Sequence, residues 1–82
     1  MKSSDLQLNI ISAEKKIFSG SVSSVVIPGI AGQFGVHPDH APLISPLKEG
    51  IITYSVNGAE KTLEVKGGIA EVNQGVVTIC VV

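Results

Sequence analysis

Glycine or proline recurs at short intervals from Gly20 to Gly50, and glycine returns at positions 58, 67, 68 and 75. The windows between these breakers are mostly shorter than the about 10–12 residues an amphipathic helix needs. Val, Ile and Thr are abundant, and branching at Cβ suits the pleated surface of a strand. The chain is therefore confined to short strands joined by tight turns.

Alternation locates the strands. Leu6, Leu8 and Ile10 alternate with Asp5, Gln7 and Asn9, the pattern of a half-buried strand with period two. Ser12-Ala13-Glu14-Lys15 reads as a turn. An extended stretch runs from Ile17 to Ile27, but its phase breaks near Ser23-Ser24, which predicts a bulge or a bend between sheets. Pro28-Gly29 closes that stretch, Gln33 to Val36 forms a short strand, and Leu43-Ile44 opens another that Lys48-Glu49-Gly50 is expected to turn. Ile51–Val56 pairs with Glu60–Lys66 across Asn57-Gly58, because a type I′ turn needs positive φ at both central positions. Ile69–Val72 and Val76–Val81 form a second hairpin around Asn73-Gln74-Gly75. About seven to ten short strands with frequent turns predict an all-β fold, a flattened β-sandwich or barrel.

The final strand is apolar on both faces, with Val77, Ile79 and Val81 on one and Val76, Cys80 and Val82 on the other. Such a strand is central and covered, or its outer face meets a partner. The overall composition bears on the same point. Of the 82 residues, 44% are apolar and only 16% charged, against about 25% charged in an ordinary soluble domain. A single domain of this size leaves much of its surface exposed, so that surface is largely neutral. Either Ser, Thr, Asn and Gln cover it, or part of it is hidden in an assembly.

Several functions are disfavoured at once. The net charge is −1, the lysines are scattered and there is no arginine, so no basic stripe is available for nucleic acid. No apolar run approaches the roughly 20 residues of a membrane span, and Met1-Lys2-Ser3-Ser4-Asp5 lacks the apolar stretch of a signal peptide. A single cysteine, Cys80, makes no internal disulfide, which fits a reducing cytosolic compartment, and in an apolar strand it is expected to be inert packing.

The segment Gly32-Gln33-Phe34-Gly35-Val36-His37-Pro38-Asp39-His40-Ala41-Pro42-Leu43 is unusual for a loop. Loops are normally polar because their backbone groups need water. This one is stiff, poorly charged and partly apolar, the composition of a shaped surface that another protein covers. His37, Asp39 and His40 hint at a metal site, but adjacent residues beside Pro38 do not converge readily on one ion and no second cluster completes a ligand set. There is no nucleophile elbow for a Ser/His/Asp hydrolase, and Gly29-Ile30-Ala31-Gly32 lacks the Lys-Ser/Thr end of a phosphate loop. Pro42 holds Ala41 extended and Pro38 fixes φ locally, so the loop presents His40 in one direction. His40 then holds its own turn, serves an interface, or does both. Phe34 reads first as core and second as partner contact.

Four blocks carry a resemblance: Leu8-Asn9-Ile10-Ile11-Ser12-Ala13-Glu14-Lys15; Phe18-Ser19-Gly20; Pro28-Gly29 through Gln33-Phe34-Gly35-Val36 to His40-Ala41-Pro42-Leu43; and Gly67-Gly68-Ile69-Ala70-Glu71-Val72. Together and in this order they resemble the N-terminal β-sandwich domain of the ATP synthase epsilon subunit family. The resemblance implies a flattened sandwich of ten strands over residues 1–82, in the rotor of an F-type ATP synthase. It implies a non-catalytic subunit without cofactor or metal that couples proton transport to ATP synthesis. The implied partners are the gamma subunit and the polar loops of the c-ring, with the alpha/beta assembly reached indirectly and no direct membrane insertion. The implied location is the cytoplasmic face of a bacterial plasma membrane. Contacts with the c-ring are expected around Gln33 and His40. The gamma contact is expected on a sandwich face near Ser12 and His40, with Phe34, Ala41 and Pro42 completing the candidate interface.

Two departures are visible. The family often has an acidic residue where this chain has Gln33, so a charged contact to a c-ring arginine is not carried over. The sequence ends at Val82 in the last strand, whereas longer family members continue into a helical hairpin that can restrain ATP hydrolysis. The expectation is a domain without that hairpin and without its regulation. A free-standing β-barrel that binds a ligand or peptide, and a small hydrolase built on the histidine loop, are the rival readings. The first predicts a defined pocket, the second an activity lost in His40→Ala.

Overall fold

A computed structural model describes residues 5–82. It contains nine strands: β1 Leu6–Ile11, β2 Lys16–Val22, β3 Ser24–Gly29, β4 Gly32–Val36, β5 Leu43–Leu47, β6 Gly50–Val56, β7 Ala59–Val65, β8 Gly68–Asn73 and β9 Val76–Val81. The all-β expectation holds, with one strand fewer among the described residues than the ten the resemblance implies. The strands form one continuous sheet in the order β2-β1-β9-β8-β5-β3-β6-β7, and β4 pairs with β3 on its other side. All pairs are antiparallel except β1 with β9. The sheet curls over so that β2-β1-β9-β8-β5 and β4-β3-β6-β7 face each other as two layers. Only Gly29 and Leu47 pair β3 with β5 at the fold line.

Alternation produces the core. Leu6, Leu8 and Ile10 of β1 and Val77 and Ile79 of β9 point inward from the first layer, and Val25, Ile27, Val36, Ile52 and Tyr54 from the second. No polar or charged side chain among the described residues is buried. A core of this kind is held by apolar burial, at about 25 cal/mol per Å² removed from water. Phe18 and Tyr54 stack across the layers with ring centroids 4.7 Å apart.

The phase break at Ser23 is the predicted bend. Val22 is buried in β2 and Val25 and Ile27 in β3, so the inward set changes from even to odd positions where the chain leaves one layer for the other. The Ser23 amide donates to the Ser55 carbonyl at 3.0 Å, which ties the crossing point to β6.

Lys48-Glu49-Gly50 does not turn the chain, contrary to its reading in the sequence. Both β5 and β6 run antiparallel to β3, with Leu47 opposite Gly29 and Thr53 opposite Val26. The segment shifts register within one long path from layer to layer. Lys48 N donates to Pro28 O at 3.0 Å across the shift, and a Cβ on Gly50 would lie 2.8 Å from the Pro28 Cβ. Close packing against Pro28, rather than chain reversal, explains that glycine.

Both hairpins close as expected. Asn57 and Gly58 have φ of 51° and 81°, and Gln74 and Gly75 have 51° and 79°. These are the paired left-handed conformations of a type I′ turn. In the second hairpin Asn73 already pairs with Val76, so the tip is Gln74-Gly75 alone.

Candidate docking surface

The loop after β4 is held by its own hydrogen bonds. His40 N donates to His37 O at 2.9 Å and closes a turn over residues 37–40. His40 Nδ1 lies 2.7 Å from Ala41 O, a distance at which that nitrogen carries the proton and donates. His40 is half-buried, while Ala41 and Pro42 are exposed. The turn-holding role of His40 is thus directly visible. Phe34 is half-buried against the core, its ring over Gly29, and Gln33 is exposed on β4.

Ser12 sits in the β1–β2 turn. Its Oγ accepts from the amides of Glu14 and Lys15, both at 3.3 Å, and its amide donates to Lys15 O at 2.8 Å. The hydroxyl is occupied in shaping that turn. Pro38 lies beside Gly75 at the β8–β9 tip, next to the start of β1, whereas Ser12 follows the end of β1. The six candidate residues are therefore spread out. Ser12 and the loop of residues 37–42 occupy opposite ends of the sandwich, and Gln33 and Phe34 lie on the strand between.

The outer face of the first layer unites residues from four strands. Ile11 of β1 stands opposite Cys80 of β9, Cys80 opposite Ile69 of β8, and Ile69 opposite Pro46 of β5. This apolar row crosses the layer and is flanked by Ile44 and Val82. Ile69 is 52% exposed, Ile44 71% and Val82 85%. Beyond the row the face is polar but almost uncharged. Asn9 Oδ1 accepts from Gln7 Nε2 at 3.1 Å and from Ser19 Oγ at 2.9 Å, and Thr78 stands between Asn9 and Glu71. A groove lined by Pro42, Leu43, Ile44, Glu71, Val72 and Asn73 joins the histidine loop to this face.

The two-faced β9 was the sequence signal for this surface. Its outer face is open, so Cys80 is exposed rather than packed, a correction to its reading from sequence. Ile44 and Pro46 on β5 and Ile69 on β8 gave no signal of their own, because one or two outward apolar residues on a short strand are ordinary. Among the described residues no three His, Cys, Asp or Glu side chains come together as metal ligands, and no helix is long and apolar enough to cross a membrane.

Residues 5–82 match the family described as ATP synthase, Delta/Epsilon chain, beta-sandwich domain. The chain belongs to that family. It is 43% identical over 75 residues to the ATP synthase epsilon chain of Bordetella petrii, an alignment covering 90% of this chain and 53% of the relative. Its fold superposes with TM-score 0.89 on a chain of the Euglena gracilis mitochondrial ATP synthase, solved as OSCP, F1 and c-ring, at 26% identity over 95% of this chain and 51% of that one. A chain from the central stalk and c-ring structure of the Tetrahymena thermophila mitochondrial ATP synthase gives TM-score 0.78 at 12% identity, a likeness of fold alone, covering 99% of this chain and 66% of that one. This member of the delta/epsilon family thus spans about half the length of the curated relative it matches.

Proposed function

We propose that this domain is a non-catalytic rotor element of an F-type ATP synthase. It binds the gamma subunit through the outer face of the first layer, and its segments around Gln33 and His40 meet the polar loops of the c-ring. In this role it couples proton transport to ATP synthesis from the cytoplasmic face of a bacterial plasma membrane.

One observation carries the reading: a broad sheet face with an apolar row, Ile11–Cys80–Ile69–Pro46, and almost no charge. Long-lived interfaces are relatively apolar and depleted of charge at their centres. Family membership and the ATP synthase assemblies in which the structural relatives were solved support a partner within that complex. The dry, close-packed core suits mechanical work, since interiors of this density resist deformation and pass torque with little bending.

The test is calorimetric titration of the folded chain with purified gamma subunit. Binding at micromolar concentration or tighter is expected. A folded domain that shows no heat of binding there would overturn the assignment.

A further inference from the structure

Among the described residues β4 pairs only with β3, so its other edge is free. Register determines which of its groups are free. Ile30-Ala31 is a two-residue connection between Gly29 and Gly32, so Gly29 and Gly32 form a hydrogen-bonded pair, followed at steps of two by Ile27 with Phe34 and Val25 with Val36. The other side of β3 agrees. Pro28 O accepts from Lys48 N and Ile30 N donates to Pro46 O, so positions 28 and 30 face β5 and β6 rather than β4. Gln33 and Gly35 therefore turn their N–H and C=O groups away from β3. Among the described residues nothing pairs with them.

This edge lacks the usual protection. Exposed edges are commonly guarded by charge, proline or a bulge against pairing with foreign strands. The β7 edge carries Glu60, Lys61 and Glu64, and β2 begins at Lys16, where a bulge interrupts its register with β1. Gly32-Gln33-Phe34-Gly35-Val36 has no charge, no proline and no bulge.

We propose that β4 takes a short extended loop segment of the ring-side partner as an added strand, bonded through the backbone of Gln33 and Gly35. The proposal rests on the reading of Gln33 as facing the c-ring, and it names backbone pairing as the means of contact. Size argues against a second copy of this chain as the occupant. Two outward residues per copy make a contact far below the about 1,200 Å² that stable interfaces bury. A short added strand is instead suited to a partner already held nearby by a larger surface. The segment needs free N–H groups at its paired positions, so it has no proline there. Its own side chains need carry no particular charge, which accommodates Gln33 where a carboxylate is absent.

The test compares Gly35→Pro with Gly35→Ala. The Gly35 amide makes no internal bond, and a Cβ there would meet nothing closer than Val25 O at 3.9 Å, so both variants are expected to fold. Proline removes the outward donor; alanine keeps it. Each is titrated with gamma alone and then with a gamma–c-ring complex, and amide exchange is followed at Gln33, Phe34 and Gly35. Gamma binding should be the same for both variants. Affinity for the ring-containing complex should fall at least tenfold for proline and stay within twofold for alanine. In the wild type, assembly with the ring should slow exchange at Gln33 and Gly35, while Phe34, already bonded to Ile27, changes little. Equal affinity of both variants for the ring complex, or unprotected amides at 33 and 35, overturns the inference. Self-association of the isolated chain that Gly35→Pro abolishes would also overturn it, by assigning the edge to a second copy. Loss of gamma binding by the wild type would defeat the proposed function separately.

Discussion

The rings of Phe18 and Tyr54 meet at a centroid distance of 4.7 Å and a tilt of 46°, and they join the first strand of one layer to the middle of the other. Strand pairing between the layers is limited to one residue pair, Gly29 of β3 with Leu47 of β5. The aromatic pair thus clamps the side of the sandwich that backbone pairing leaves open. Phe18→Ala removes the ring and the tilted contact. A fully buried Phe→Ala costs about 3–5 kcal/mol, and Phe18 is half-buried, so a loss of about 2–3 kcal/mol is expected in urea unfolding. Phe18→Leu should recover roughly half of it.

Gly68 and Gly58 separate two reasons for a glycine. A Cβ on Gly68 would collide with the Cys80 carbonyl, and φ there is +143°. Gly68→Ala should fail to fold or lose more than about 4 kcal/mol, since backbone has to move. Gly58 has φ of +81° with open space around it. Gly58→Ala should cost only about 1 kcal/mol, the penalty of a left-handed conformation for an L side chain. Thermal unfolding of the two variants tests the distinction.

Ile69 lies at the centre of the exposed apolar row, so its side chain contributes little to the core. Ile69→Lys should leave stability within about 0.5 kcal/mol, as outward substitutions usually do. The same change should weaken gamma binding at least tenfold, because a lysine buried against an apolar partner leaves a charge unpaired. Unaltered calorimetric affinity would remove this face from the interface.

Ser12 and His40 each hold a turn, and they separate turn from interface. Ser12→Ala deletes the acceptor for two amides in an exposed turn and should cost about 0.5–1.5 kcal/mol. His40→Ala deletes one bond to Ala41 O. It should lower the melting temperature by only a few degrees, yet weaken assembly with the rotor by more than that loss explains. Equal binding by the mutant would leave His40 only its turn.

Gln33→Lys tests the ring-side contact by charge. On a basic c-ring loop the added lysine should lower the yield of assembled rotor through like-charge repulsion, more strongly at low salt. Gamma binding should be unchanged.

Much of this architecture is legible in the order of the amino acids. Leu6, Leu8 and Ile10 announced an inward face, Asn57-Gly58 announced a hairpin, and the lost phase at Ser23 announced the bend between layers. Each is a local rule with a short-range cause. Lys48-Glu49-Gly50 misled because a turn and a register shift use the same residues. What distinguishes them is Pro28 on another strand, packed against Gly50 and accepting from Lys48.

The candidate surface divides the same way. The stiff, neutral segment from Gly32 to Leu43 and the doubly apolar β9 were visible as sequence. The apolar row was not, because Ile11, Pro46, Ile69 and Cys80 are distant along the chain and become neighbours only through strand register. Backbone conformation, alternation and turn chemistry are governed by neighbours within a few residues, so the amino-acid order alone determined an all-β sandwich and its hairpins. Which outward residues share a face, and which strand edge is left unpaired, depend on hydrogen bonds between remote segments, so only the tertiary structure decided where this domain can be held.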